Sequence, residues 1–250
     1  MNGFSKHGID HLSASSINLF TNACDVWVAR YLLKRKMPFG PAPERGKQIE
    51  NAVVWTLTGA MDEAKAIERA TENFDRTFMF GDEATQKERA LIEPMAKLAI
   101  EELREFGAPE FAEGTDQEKI SITARGDGWS IPVIGFLDLV YPQHGLVVDL
   151  KSTTRVPSVM SADHQLQRAI YAKAKGNMAV RFLYVSGKKA AWLEDGDVAE
   201  TLARAKAQIT RMERFLRHHD AESAQACVPC NPNSFLWRGA EDIREEIYGI

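Results

Sequence analysis

Three cysteines in 250 residues are too few and too scattered for a disulfide framework. A reducing cytosol is therefore the default compartment. No apolar run approaches the roughly 18 residues that a membrane-spanning helix needs. The N-terminal stretch MNGFSKHGIDHLSAS lacks the apolar core of a secretory leader. Internal repeats and low-complexity segments are absent. So is the phosphate-cradling pattern Gly-x-x-x-x-Gly-Lys-Ser/Thr, which excludes an ATP-driven motor within this chain. Excess positive charge is missing too. A formal net charge of −4 argues against a histone-like or architectural DNA binder. It leaves room for an enzyme with a local basic groove, because the field at a site depends on nearby charge. What is present, 44% hydrophobic and 26% charged residues, suffices for a sizeable globular core.

The small net charge hides an asymmetry. Residues 51–117 carry 15 acidic and 7 basic side chains, and residues 151–219 carry 6 acidic and 13 basic. The acidic stretch reads as solvated helical faces. Apolar spacing predicts a helix over 13–36, capped by Ser13 or Ser15, then a Pro/Gly loop and a second helix near 44–58. Two amphipathic helices follow near 60–76 and 84–106. The pattern then changes to strands at 119–125, 131–141 and 146–149, with turns at Asp127-Gly128 and 142–145. A helix at 161–176, strands at 179–185 and 189–193, and a long helix at 196–218 complete the core. From 223 the chain reads as irregular, with a short helix at 239–247. This order predicts an α/β (α+β) fold with a helical N-terminal lobe. The expected organisation is one domain over 1–250: a mainly helical part at 1–110, an α/β core at 111–219 and a cysteine-containing tail at 220–250.

The informative stretch is Gly135-Phe136-Leu137-Asp138, followed by Val147-Val148-Asp149-Leu150-Lys151. Asp149 and Lys151 are two apart on a strand and so share a face. A tight turn at 142–145 pairs the two strands antiparallel and brings Asp138 beside Asp149. Two close carboxylates repel each other, and a divalent cation relieves that repulsion. A lysine beside them can orient or activate water and stabilise charge developing on phosphorus. Oxygen donors without nearby histidine suggest Mg²⁺ or Mn²⁺ rather than Zn²⁺. The bland alternative is a set of solvated strand-end charges.

The Gly-x-x-Asp and Asp-x-Lys arrangement resembles the PD-(D/E)XK nuclease superfamily, and most closely its RecB-like exonucleases, the group of the CRISPR adaptation nucleases and the AddB nuclease domain. Gln167-Arg168-Ala169-Ile170-Tyr171 matches that group's Gln-x-x-x-Tyr helix. Ser13–Phe20, with Cys24 four residues on, resembles its Ser-rich N-terminal helix. Arg45-Gly46-Lys47-Gln48-Ile49-Glu50 resembles its Arg-Gly-x-x-x-His motif, with Glu50 in the histidine place, as in phage recombination exonucleases of the lambda type. The similarity runs from about 13 to 230.

The resemblance implies a restriction-endonuclease-like core, a central mixed sheet flanked by helices. It implies that Asp138, Asp149 and the Leu150 backbone carbonyl hold Mg²⁺ or Mn²⁺, that Glu50 adds a ligand, and that Lys151 positions the attacking hydroxide. Gln167 and Tyr171, four apart on one helix face, would contact the scissile strand or brace the site. For Glu50 an ordinary helix-surface acid is the alternative, and for Gln167 and Tyr171 a plain amphipathic helix. Glu118 is a weaker candidate for an extra acid. Arg45, Arg155, Arg168 and Lys173 are candidate phosphate contacts, which position a strand without reading its sequence. Trp55, Trp129 and Trp192 are stacking candidates or core residues.

Cys24, with Cys227-Val228-Pro229-Cys230, matches three of the four cysteines that hold an iron–sulfur cluster in many RecB-like nucleases. Leu236 stands at the fourth place. A thiolate cluster wants four ligands. An iron–sulfur cluster, a zinc site completed by His218 or His219, and three plain thiols are the alternatives.

The functional expectation is a metal-dependent DNA exonuclease acting in recombination, repair or phage DNA processing, in the cytoplasm of a bacterial or phage-infected cell. Its partners would be DNA and a single-strand annealing protein, helicase or other recombination protein, with no membrane. The rivals are a catalytically silent or partner-dependent nucleic-acid-binding subunit on a nuclease fold, and a hydrolase of small phosphorylated substrates.

Overall fold

The structure, a computed structural model, describes residues 2–79, 81–111, 117–122 and 129–250. The expected turn at Asp127-Gly128 and the end of the expected strand, residues 123–125, lie outside the described residues. After α1 (Gly3–Lys6) a two-residue strand β1 (Leu12–Ser13) leads into α2 (Ala14–Asn22). Ser13 caps α2 in a reciprocal arrangement with Ser16. The single helix expected over 13–36 is broken. Ala23 leaves the helical conformation (φ −153°, ψ 71°), α3 (Cys24–Trp27) restarts, and a π-helical turn follows at Val28–Leu32. The break turns Ala23, Val26 and Ala29 onto Trp237 and Ala240 of the tail, so tertiary packing overrides local helix continuity.

The lobe continues with α4 (Pro41–Leu57), α5 (Glu63–Thr77), α6 (Glu83–Ala90) and α7 (Ile92–Leu103). The expected helix 84–106 divides at Leu91. Pro94 lacks an amide hydrogen and its ring would crowd the Ala90 carbonyl, so the helix restarts with the proline in its first turn.

Two sheets carry the rest. β2 (Glu118–Ile122), β3 (Val133–Leu137) and β1 form one, in the order β1-β3-β2. β4 (Leu139–Tyr141), β5 (Leu146–Ser152), β6 (Ala179–Val185) and β7 (Ala190–Leu193) form the other, in that order. The expected strand 131–141 is thus two strands in two sheets, and Asp138 is the residue between them. β4 and β5 pair antiparallel with Leu139 opposite Val148, whereas β5 and β6 are parallel, joined through α8 (Ala162–Lys175). α9 (Val198–His218), a short α10 (Ala221–Cys227) and α11 (Glu241–Tyr248) end the chain. α10 was expected to be irregular, although Asp220 caps it with Ser223 in return.

Strand alternation divides the core. Val148, Leu183 and Val185 face the N-terminal helices, among Ile49, Val53 and Met95. Val147, Phe182 and Tyr184 face the opposite layer, among Ile170, Met212 and Trp27. The four-stranded sheet is therefore buried on both faces, which explains its near-continuous apolar sequence. Of the three tryptophans considered for stacking, Trp129 is buried in the core, and Trp192 donates its ring N–H to Glu102 at 2.8 Å. Among the described residues no helix is long and apolar enough to cross a membrane.

Candidate active site

Asp138 leaves the three-stranded sheet as Asp149 reaches the end of the buried part of β5. The register of β4 and β5 sets the two side by side. Asp149 is fully buried and Asp138 nearly so. Asp138 Oδ2 accepts the Leu150 backbone N–H at 3.0 Å. By alternation, Asp149 and Lys151 lie on the face of Phe182 and Tyr184. Lys151 Nζ is 2.5 Å from Asp149 Oδ2 and 5.3 Å from the centroid of the Phe182 ring. Burial pushes the Asp138 carboxyl well above the ordinary range, and the neighbouring carboxylates of Asp149 and Glu50 push it further. Burial alone would lower Lys151, but the charges of Asp149, Asp138 and Glu50 outweigh it and raise the ammonium above its usual value.

Two motifs interlock around this pair. Gly135 is needed because a Cβ there would lie 2.6 Å from Tyr171 Cε1. The space admits the Tyr171 ring, whose hydroxyl donates to the Phe136 carbonyl at 2.6 Å. Gln167 Nε2 donates to the Tyr171 hydroxyl at 2.8 Å and to Asp149 Oδ1 at 2.8 Å. Gly-x-x-Asp and Gln-x-x-x-Tyr thus form one brace that fixes the Asp149 carboxylate.

A second joint brings in Glu50. Gly46 lets α4 approach β5 closely, since a Cβ there would meet Ser152 Oγ at 3.2 Å. Arg45 is buried beside it. Its guanidinium donates to the Ser152 carbonyl at 3.2 Å and pairs with Glu88. Glu50, four residues beyond Gly46, then projects toward the carboxylates. The expected phosphate contact at Arg45 is therefore a buried helix–strand tie.

Gln117 was not anticipated. Its Nε2 donates to Glu50 Oε1 at 2.7 Å and to Asp138 Oδ1 at 3.1 Å, and so holds two like charges together. A lone glutamine before a strand carries no sequence signal. His164 was also missed. It packs in the same layer, with Nδ1 2.6 Å from the Tyr184 hydroxyl, and burial lowers its pKa.

Glu118 is paired with Lys175 at 2.9 Å. Arg168 donates to the carbonyls of Val180, Asp195 and Gly196, binding α8 to the loop after β7. Arg155 and Lys173 are exposed. Cys24 and Cys230 flank the buried Asp25, and burial pushes both thiols up to about 11. Cys227 is exposed. Asp25 Oδ2 accepts the Asn231 backbone N–H at 3.0 Å and the Trp237 ring N–H at 2.9 Å. The tail is thus clipped to α3 by a carboxylate.

Among the described residues no group of three or more His, Cys, Asp and Glu side chains forms a ready metal cage. The Asp138–Asp149 pair nevertheless fits a hard cation. Among the described residues Asp149 Oδ2 is buried with no hydrogen-bond partner, and the Lys151 ammonium lies 2.5 Å from it. Mg²⁺ characteristically takes one or two carboxylates and keeps several waters. The cysteines do not fit a four-thiolate cluster, because only three exist and Leu236 stands in the fourth place.

The family model of the PD-(D/E)XK nuclease superfamily matches residues 11–235. The chain belongs to that superfamily. Membership implies a nuclease with DNA as its substrate, in a family whose members typically use Mg²⁺ or Mn²⁺. The mixed α/β architecture agrees with it. No curated protein is similar enough to match the chain.

Proposed function

We propose that this PD-(D/E)XK protein is a metal-dependent DNA exonuclease of the RecB-like kind. Residues 1–250 would act as a single nuclease domain, in recombination, repair or phage DNA processing in the cytoplasm of a bacterial or phage-infected cell. The observation that carries the reading is the fully buried Asp149 beside Asp138, with the Lys151 ammonium 2.5 Å away at the end of an otherwise apolar strand.

Asp138, Asp149 and the Leu150 carbonyl would hold Mg²⁺ or Mn²⁺, with Glu50 as a further ligand. In an extended strand a residue's N–H and C=O point to the same side. The Leu150 N–H meets Asp138, so its carbonyl faces that side too. When bound, the cation would supply Lewis-acid polarisation of the phosphate and activation of water. Lys151 is held above its ordinary pKa, so at neutral pH it remains a donor rather than a base. It would orient the attacking water and stabilise charge growing on the phosphate oxygens. Gln167 and, through it, Tyr171 would be positioning residues that keep Asp149 from rotating. Arg155 and Lys173, exposed near this layer, would contact backbone phosphates. The cysteines take no part in hydrolysis: Cys24 and Cys230 pack where Asp25 ties down the tail. An annealing protein or helicase would supply strands that the chain cannot unwind.

The test is degradation of linear single-stranded, linear duplex and closed circular DNA with Mg²⁺, with Mn²⁺ and with EDTA. Loss of linear DNA only with a cation, while circles survive, is the expected result. Circles cut as fast as linear DNA would replace the exonuclease with an endonuclease. No cleavage of any substrate in either metal would remove the catalytic reading.

A further inference from the structure

Asp138, Gln167 and Tyr171 line a cavity of about 760 Å³, together with Asp163 and His164 from the first turn of α8. Most side chains there that could meet a substrate are already engaged within the chain. Gln167 holds Asp149 and Tyr171, Tyr171 holds the Phe136 carbonyl, and Asn18 and Asn22 hold Asp163. His164 differs. Its Nδ1 is taken by the Tyr184 hydroxyl at 2.6 Å, but its Nε2 has no hydrogen-bond partner among the described residues and is not buried. Because His164 lines the cavity, that nitrogen is open to it.

Two observations decide where the ring carries its proton. Burial, and after it the Lys151 ammonium, lower the pKa of His164, so at neutral pH the imidazole is uncharged and has a single N–H. Tyr184 is buried, and among the described residues its hydroxyl meets His164 Nδ1 alone. A hydroxyl proton left without an acceptor there would destabilise the fold. Tyr184 therefore donates to Nδ1, and the imidazole proton sits on Nε2.

That N–H stands close to the reacting groups. His164 and Gln167 are three apart on α8 and so are neighbours on one helix face, and Gln167 grips Asp149. Tyr184 is opposite Lys151 in the β5–β6 register. The His164 ring centroid lies 5.8 Å from that of Phe182, the ring over which Lys151 Nζ sits at 5.3 Å. His164 is thus mounted on the same two aromatic side chains that flank Lys151.

We propose that His164 is a catalytic residue whose Nε2–H donates to a non-bridging oxygen of the scissile phosphate, with Tyr184 as the positioning residue that holds this tautomer. A phosphate oxygen is a charged acceptor, and hydrogen bonds to charged acceptors are stronger than neutral ones. A donor already fixed where charge grows on the phosphate needs no rearrangement during the reaction. The inference rests on the nuclease reading above and adds a residue to it.

The test compares the parent, His164→Asn and His164→Gln. For each, kcat and KM are measured on linear DNA in Mg²⁺, Mn²⁺ affinity by calorimetry, and the melting temperature. An asparagine amide can replace Nδ1 toward Tyr184 but falls short of Nε2, whereas a glutamine amide nitrogen stands near the place of Nε2. His164→Asn should melt near the parent, bind Mn²⁺ as the parent does, and lose about a hundred-fold in kcat with little change in KM. His164→Gln should recover most of that loss. If the parent cuts DNA and His164→Asn cuts as fast, the assignment falls while the nuclease reading stands. If His164→Asn loses Mn²⁺ affinity, the ring is a metal ligand and the assignment falls. If both variants melt lower and lose the same rate, the ring serves packing and the assignment again falls. If the parent cuts no DNA in either metal, both readings fall.

Discussion

At Asp138 the molecule tolerates a buried carboxyl against two like charges. Its native pKa lies above the unfolded value, so ionisation favours the unfolded chain. The cost is absent at low pH, appears as pH rises past the ordinary carboxylate range, and is complete above the raised native value. Asp138→Asn should therefore melt at a higher temperature than the parent at pH 8 in EDTA, with the gap narrowing toward pH 4. Added Mn²⁺ should stabilise the parent and not the variant, because a ligand of the native state adds stability only where it binds. Gln117 holds Glu50 to Asp138 by one amide, and Gln117→Ala should change Mn²⁺ affinity in a calorimetric titration while Asp138→Asn abolishes binding. Gly135→Ala would press a methyl into the Tyr171 ring and should cost about 1–3 kcal/mol in denaturant unfolding. Asp138, Asp149 and Lys151 were legible because charge directly after Phe-Leu and Val-Val is conspicuous. Gln117 was not, because its meaning comes from two acids distant in sequence.

At the scale of elements, the motif Arg45-Gly46-x-x-x-Glu50 is a joint between α4 and β5. The family resemblance pointed to Glu50 as a companion of the strand acids, but not to Arg45 being buried and turned onto Ser152. The helix itself was expected near 44–58, while which strand it packs against was not. The first helix shows the converse. Its apolar stripe was correctly located, yet the break at Ala23 is dictated by Trp237, more than two hundred residues away. The tail itself hangs on Asp25. Asp25→Ala should strand the Trp237 and Asn231 donors and cost about 1–3 kcal/mol for each donor left buried and unpaired, read by denaturant unfolding and by faster proteolysis after 230. The cysteines follow from the same packing. Cys24 and Cys230, raised to about 11, stay protonated at pH 8. Iodoacetamide should then label the exposed Cys227 first, as followed by mass spectrometry. Because unfolded thiols ionise near 9, these two also contribute a loss of stability as pH rises from about 9 toward 11. Equal labelling of all three at pH 8 would contradict that placement.

Across the whole molecule, one buried sheet separates an acidic helical lobe from the layer that carries α8, α9 and the tail. The α/β order and the flanking helices were readable from the switch between helical and strand periods. That the strands divide into two sheets was not, because the division falls inside the stretch 131–141 predicted as one strand, and Asp138 lies at that division. The basic bias of residues 151–219 was also visible, but its use was not: Arg168, Lys175 and Arg181 are engaged with carbonyls or carboxylates inside the chain. Affinity for DNA therefore depends on fewer cations than the sequence suggests, and its salt dependence should be correspondingly shallow. The central claim is that Asp138, Asp149 and Lys151 form a cation-dependent phosphodiester-hydrolysing site. The most direct measurement is the rate of linear DNA loss for the parent, Asp149→Ala and Lys151→Ala, each in Mg²⁺ and in EDTA, with unfolding curves showing that all three are folded. The account predicts cleavage by the parent in Mg²⁺ alone, and a loss of about a hundred-fold or more in both variants. Folded variants that cut as fast as the parent, or a parent that cuts equally well in EDTA, would contradict it.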